Sequence, residues 1–524
     1  MNNLKQKSYH PIIFAIYPVL FLYSYNLGIV QLQYVYRTLG IIVGCSIILW
    51  LVLSILTKNP IKGALITTIS LILFFSYGHL LSLVGNFSEK IFSIDRNIYL
   101  SIQYTIVWII IVLIILRSSA VNLKLSNQFA NVIGTILLIF PIYTVFSEGV
   151  FKNSITKDGL HYKMQQYLDF NYVPDELPDI YYIILDGYAR EDVLRDIYEF
   201  DNSNFYSELE KRGFFIARRS NANYPQTMHS FASSLNMQYI QDLLPDIDKF
   251  SYSREPLADL ISDNVVSSLL KTYGYKFVVF SSGYSGTEIP SADVYLSPAI
   301  SINEFENIFL NTTPLGFIAG KLPVKSQYDL HVERIMYTFD NIPSAANGHS
   351  PAFVFAPIVM PHPPFVFHKD GLVDEFPIGF SYSDGSHYHD FEYGVQEEYK
   401  RGYLGQLQYA NKLALSTIDN LLEDTEKPRI IVLQSDHGPG MVLDWEIPEN
   451  SYYRERLGIL NAYYVNNETN KLLYDTISPV NTFRVLLNSY FGASFPLLED
   501  HSYVSRWTSP YHFFDVSDSS GIFY

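Results

Sequence analysis

Cysteine is almost missing from this chain. Cys45 is the only one in 524 residues, which excludes an internal disulfide framework and, beyond residue 150, any thiol chemistry. Positive charge is scarce as well: 36 lysines and arginines face 52 aspartates and glutamates, for a formal net charge of −16. No basic stripe is visible, which argues against a nucleic-acid partner. Internal repeats and low-complexity tracts are absent too. The last shortage is local: charge nearly vanishes from long stretches of the first 150 residues, where the apolar excess of the chain is concentrated.

Five apolar segments can be marked there: Pro11–Val30, Leu39–Leu56, Ala64–Val84, Ile102–Leu116 and Ala130–Phe146. A spanning helix needs roughly 17–25 residues, and the fourth segment approaches that when Tyr99 and Leu100 join it. Five such runs in succession would leave soluble helices no amphipathic face to meet water. The sequence therefore predicts five transmembrane helices. The first follows Lys5 and Lys7 but has no small-residue cleavage site behind it, so it is read as retained rather than as a signal peptide. With the N-terminus cytoplasmic, Lys5, Lys7, Lys58, Lys62, Arg117 and Lys124 lie inside, and Arg37, Lys90 and Arg96 outside. That bias supports the orientation. An odd number of spans then puts everything after about residue 147 outside.

The predicted organisation is a five-span transmembrane domain over residues 1–147, a polar juxtamembrane linker over 148–178, and an extracytoplasmic domain over 179–524. In the last of these the pattern alternates. "DIYYIILDG", "KFVVFSSG", "PAFVFAPIVMP" and "RIIVLQSDHG" are apolar, strand-like runs, each ending in turn or polar residues. Helical stretches lie between them, among them the long "EEYKRGYLGQLQYANKLALSTIDNLLED". This predicts an α/β domain with a mostly parallel sheet sandwiched by helices. In such folds the ligand site forms at the carboxyl ends of the strands.

Three polar motifs fall where they can converge there. Asp186 directly follows the run Tyr182–Leu185, Thr227 sits on the first turn of the helix predicted in "NYPQTMHSFASSLN", and Asp436 and His437 end the strand Ile430–Leu433. Two carboxylates and an imidazole form a mixed oxygen and nitrogen set suited to zinc, manganese or a similar divalent ion. A threonine hydroxyl completing that set would have its pKa lowered, making an alkoxide nucleophile accessible near neutral pH. Each motif also has a plainer reading. Asp-Gly after a strand is a common turn, and a threonine at a helix start is commonly a cap. "SDHG" is more specific, because a charged pair at the end of an apolar strand needs partners to offset its desolvation.

In this order, "YYIILDGYAR", "NYPQTMHSFASSLN", "MPHPPFVF" and "VLQSDHGPG" resemble the alkaline phosphatase superfamily in its sulfatase-like branch, over roughly residues 178 to 515. With five spans ahead, the layout resembles the membrane lipoteichoic acid synthases and lipid A phosphoethanolamine transferases. The resemblance implies one divalent metal held by Asp186, Thr227, Asp436 and His437, Thr227 as nucleophile, and His362 in contact with the transferred group. These transferases commonly carry glutamate at the first position, where Asp186 looks more like the sulfatases and phosphodiesterases. True sulfatases mature a cysteine or serine within Cys/Ser-x-Pro-x-Arg; Thr227-Met228-His229-Ser230 lacks that proline and arginine, which speaks against sulfate-ester hydrolysis. "SDGSHYHD", with Asp384, His387 and His389, has the wrong spacing for a second metal and reads as a solvated loop.

His229 and Arg334 are expected to contact substrate. His229 could face the site or pack against the sheet, and Arg334, on one helical face with His331, could clamp a phosphate or simply be solvated. Arg254, Arg454 and Arg456 have no motif to anchor them. The expected activity is metal-dependent phosphotransfer at the outer face of a membrane, from a lipid-linked donor to a cell-envelope glycan or lipid through a phosphothreonine. A membrane-tethered phosphoester hydrolase is the alternative, and a non-catalytic scaffold comes third.

Overall fold

The computed structural model describes residues 7–27, 32–84, 96–150, 157–169, 172, 177–299, 304–319, 325–373, 380–389, 396–423 and 427–517. The chain forms two compact units, residues 1–153 with 302–326, and residues 154–301 with 327–524.

In the first unit, four helices are long and apolar enough to cross a membrane: Tyr36–Thr57, Pro60–Leu81, Arg96–Arg117 and Ala120–Phe146. The first of the five expected spans is a shorter helix, His10–Tyr25, of 16 residues. It stops because Asn26 turns back on it, its side-chain amide donating to the Leu22 carbonyl at 2.7 Å. The expected continuation through Gly28 to Val30 lies outside the described residues. By length alone the described residues thus hold four spans rather than five. Their outward surface is apolar, with Ile48, Leu51, Ile55 and Leu56 exposed, as lipid contact requires. Polar groups point inward: His10 Nδ1 lies 2.6 Å from Thr68 Oγ1 and its Nε2 lies 3.2 Å from Asn127 Oδ1. Those contacts tie three helices together near one end.

Residues 302–326 belong to this unit although they sit in the middle of the later sequence. They carry the helices Glu304–Asn311 and Pro314–Ala319. Phe305 and Phe309 are buried with Phe75 in one cluster, and Glu306 forms an ion pair with Arg37. The Gly78 amide donates to the Thr312 carbonyl at 2.9 Å. A side chain at Gly78 would place its Cβ 2.8 Å from Thr312 backbone, so this close approach needs glycine.

The second unit is built on a seven-stranded sheet. In chain order the strands of this unit are β1 Asp179–Leu185, β2 Phe215–Ile216, β3 Lys276–Phe280, β4 Val294–Leu296, β5 Ala352–Ile358, β6 Phe367–His368, β7 Gly371–Leu372, β8 Arg429–Gln434, β9 Asn461–Tyr464, β10 Tyr503–Arg506 and β11 Ser509–Asp515. The large sheet runs β2-β9-β8-β1-β5-β3-β4, while β10-β11 and β6-β7 are separate two-stranded pairs. β8, β1, β5, β3 and β4 pair in parallel, and β9 and β2 add an antiparallel edge. All four apolar runs marked in the sequence are strands of the parallel part. The sheet is therefore mixed: the parallel strands run from β8 to the edge strand β4, and the antiparallel β9 and β2 form the other edge.

Alternation explains why both faces are covered. Tyr182, Ile184, Phe353, Phe355 and Val432 join one apolar cluster, whereas Tyr181, Ile183, Val354, Ala356 and Leu433 join the other. Successive side chains of a strand point to opposite faces, so continuous apolar runs suit a sheet with helices on both sides. The helix Gln396–Glu423 packs Tyr403, Leu407, Ala410 and Ala414 into the second cluster. Part of the expected linker is ordered: the helix Lys157–Gln165 belongs to this unit and buries Met164 in the first cluster.

Candidate metal centre and nucleophile

Register brings the motifs together. β1 lies between β8 and β5, with Ile184 opposite Gln434 and Leu185 opposite Ile358. Asp186 and Asp436 thus emerge just past the carboxyl ends of neighbouring parallel strands, and His362 follows β5 on the other side. Gly187 turns the chain away from β1 with φ +78°, and a Cβ there would meet His362 at 3.4 Å. The Ser230 hydroxyl donates to the Asp436 carbonyl at 2.8 Å, fastening the helix Thr227–Ser234 to the end of β8. Gly438 lies so close to the Glu455 carbonyl that a Cβ would come within 2.1 Å.

Asp186, Asp436 and His437 form a buried group whose ligand atoms lie within 4.8 Å of one another. His437 Nδ1–H donates to the Gly438 carbonyl at 2.9 Å. Because a carbonyl only accepts, Nε2 carries the lone pair. That nitrogen lies 3.0 Å from Thr227 Oγ1, 3.3 Å from Asp436 Oδ2 and 3.6 Å from Asp186 Oδ1. Thr227 is the first residue of its helix, with Gln226 at the cap position, and its hydroxyl faces His437 rather than capping the helix.

Asp186 Oδ1 and Asp436 Oδ2 are buried and have no hydrogen-bond partner. Burial pushes the Asp186 carboxyl up to about 7. Burial first, and then the charge of Asp186, push Asp436 well above the usual carboxylate range. Two orphaned carboxylate oxygens and an imidazole lone pair aimed at one spot fit a divalent cation, which would remove both the desolvation and the mutual repulsion.

Around this group stand residues with no legible motif. Arg456 is buried; its Nη2 lies 3.1 Å from His437 Nε2, its Nε donates to the Pro225 carbonyl at 2.8 Å, and its Nη1 forms an ion pair with Asp384. Asp384 corrects an expectation. Instead of lying in a solvated loop it is buried, accepts from Tyr399 Oη at 2.7 Å and faces His362 Nε2 at 3.5 Å. Its local sequence is polar, and only the long-range partners Arg456 and Tyr399 draw it inside. His387 is half-buried beside Trp445 and Trp507. His362 donates from Nδ1 to the Pro363 carbonyl at 2.7 Å, its ring centroid is 6.0 Å from that of His437, and burial lowers its pKa. Its Nε2 therefore carries a lone pair at neutral pH.

His229 is not at this centre. Its Nε2–H donates to the Pro510 carbonyl at 2.8 Å, and Tyr224, Tyr511 and Phe513 surround the ring. Two residues past Thr227 on a helix, a side chain points away from the face that carries the nucleophile. Arg334 and His331 are buried rather than solvated. Arg254 stacks on Trp507 at 4.1 Å and donates to Gln226 Oε1 at 3.1 Å, next to the nucleophile. Arg454 pairs with Asp192 and Asp196 at the surface. His501 faces Asp515 at 3.0 Å and Glu499 at 3.1 Å.

No family model and no curated protein matches this chain. Among solved structures it is similar to the C-terminal periplasmic domain of EptC from Escherichia coli in complex with Zn, at 12% identity over 67% of this chain and 96% of that one, with a TM-score of 0.43. It is similar along nearly its whole length to the integral membrane lipooligosaccharide phosphoethanolamine transferase A from Neisseria meningitidis: 11% identity, 92% of this chain and 95% of that one, TM-score 0.39. A 2-O GAG sulfatase is similar at 14% identity, over 62% of this chain and 72% of that one, with a TM-score of 0.39.

Proposed function

We propose that the chain is a metal-dependent membrane phosphotransferase with Thr227 as its nucleophile. The observation that carries this reading is the convergence of Thr227 Oγ1, His437 Nε2 and the unpartnered oxygens of Asp186 and Asp436. Asp186, Asp436, His437 and Thr227 would hold the ion. When bound, it supplies positive charge that favours ionised Thr227 and offsets charge developing on the phosphoryl oxygens.

Thr227 Oγ1 attacks phosphorus, the bond to the leaving alcohol breaks, and the threonine proton ends on the departing oxygen. His362, with a free lone pair on Nε2, is the group suited to carry that proton. Arg456, already donating towards His437 Nε2, supplies a fixed guanidinium for the phosphoryl oxygens. The resulting phosphothreonine is then attacked by an acceptor hydroxyl; the phosphorus–Oγ1 bond breaks, the acceptor's proton passes by way of His362 to Oγ1, and the Thr227 hydroxyl is regenerated.

The four apolar helices support lipid-linked substrates. An active domain on the same chain as membrane spans meets a donor or acceptor confined to that membrane at a raised effective concentration. The catalytic domain beginning near residue 179 would then lie outside the cytoplasm, with a phospholipid or lipid-linked donor and an envelope glycan or lipid as acceptor. With water as acceptor, the same chemistry is hydrolysis.

Incubating full-length protein with head-group-labelled phospholipid and mapping the label tests the reading. Label on Thr227, lost with activity in Thr227→Ala and partly kept in Thr227→Ser, is expected. Equal turnover in wild type and Thr227→Ala would remove the nucleophile assignment.

A further inference from the structure

The helix Gln327–Asn341 carries a second arginine whose surroundings ask for a ligand. Arg334 is 6% exposed. Its Nε is buried without a hydrogen-bond partner. Among the described residues its only side-chain hydrogen bond is a long one, 3.4 Å from Nη1 to Tyr382 Oη, and it forms no ion pair with a described carboxylate. The acid of the neighbouring loop, Glu288, is already engaged: Oε1 accepts from Ser281 Oγ and the Gly283 amide, and Oε2 from Tyr295 Oη. A buried guanidinium left this poorly paired is costly. An anion against it removes the cost.

Backbone packs closely against one side of this guanidinium. Gly283 sits at φ +82° with its backbone against the guanidinium, so that a Cβ there would fall 2.2 Å from Arg334 Nη1. One turn before Arg334, His331 has a buried Nε2 with no partner, while its Nδ1 lies 3.5 Å from Tyr382 Oη. This corner also adjoins the catalytic group. The loop of Gly283 reaches the nucleophile's helix at Gly286, where a Cβ would meet Met228 Sδ at 2.4 Å. His331 lies within electrostatic range of His362, and Tyr382 lies two residues before Asp384.

Resting on the phosphotransferase reading, we propose that Arg334 and His331 form an anion subsite beside Thr227, which takes a second phosphate on the substrate, separate from the phosphoryl group that Thr227 attacks. The preferred substrate then carries two phosphates a short distance apart.

Two titrations on full-length protein in detergent test this. Inorganic phosphate is first titrated into chelator-stripped protein, where the metal-dependent site is out of play. Wild type and Thr227→Ala should bind alike, Arg334→Gln at least tenfold more weakly, and Arg334→Lys in between. The melting temperature of phosphate-free Arg334→Gln should equal or exceed that of wild type, because an unpaired buried charge has gone. Equal phosphate affinity in wild type and a folded Arg334→Gln, or no binding by folded wild type, overturns the subsite. Pyrophosphate and phosphate are then compared on metal-loaded protein. A preference for pyrophosphate of at least tenfold, vanishing in Arg334→Gln, is expected; equal affinity would make this a site for free phosphate and overturn the substrate assignment. Neither titration needs turnover. A failure of the nucleophile reading, seen as activity in Thr227→Ala, is therefore separately visible.

Discussion

Removing the metal should make stability depend on pH in a direction set by Asp186. In the ion-free fold burial holds its carboxyl at about 7, against the ordinary 3.8. The folded pKa lies above the unfolded one, so the fold favours the neutral acid. That contribution is fully present below about pH 3.8 and is lost as pH rises towards 7. Three pKa units at about 1.36 kcal/mol each make about 4 kcal/mol in all, of which about 3 kcal/mol falls between pH 5 and 8. A bound cation stabilises the carboxylate instead and abolishes the dependence. For a unit of roughly 350 residues, unfolding entropy near 2.1 cal/mol/K per residue converts 3 kcal/mol into roughly 4 °C. Melting curves of chelator-treated and Mn- or Zn-loaded protein should therefore draw apart by about that much from pH 5 to pH 8. Metal affinity should climb over the same range, since ligation must displace a proton. A gap that stays constant, or narrows towards pH 8, would refute the assignment of Asp186 as a buried ligand.

Arg456→Gln alone should destabilise the protein by about 3–5 kcal/mol in chemical denaturation, because it strands Asp384 as a buried charge. Adding Asp384→Asn should restore most of that stability but not the turnover; recovered activity in the double variant would deny Arg456 a part in the reaction. Gly438→Ala should lower metal occupancy, measured by elemental analysis, because the new Cβ collides with the Glu455 carbonyl and displaces the adjoining His437. Unchanged occupancy would show that the loop yields. A reporter fused after the last residue should give an extracytoplasmic signal, and one in the Lys58–Lys62 loop a cytoplasmic one; the reverse pattern would overturn the topology and the choice of substrate.

The sequence by itself determined what depends on neighbours along the chain. Apolar runs ending in Asp186 or in Asp436-His437 are readable as parallel strands with polar tips, because burial on both faces demands continuous apolar residues and the ends of such strands are where polar groups can face a ligand. Thr227 at a helix start and the long apolar helices are local patterns of the same kind. Partners distant in sequence decided the rest. Asp384 lies in a polar stretch that reads as solvent-exposed, yet Arg456, 72 residues away, and Tyr399 hold it inside. His229 turns from the nucleophile to the Pro510 carbonyl, 281 residues on. The helices at 304–319 join the membrane-type unit through Phe75 and Arg37, a docking that no periodicity announces. Local pattern reports which face a residue belongs to, whereas the compensation of a buried charge or ring depends on which distant group the fold brings to meet it.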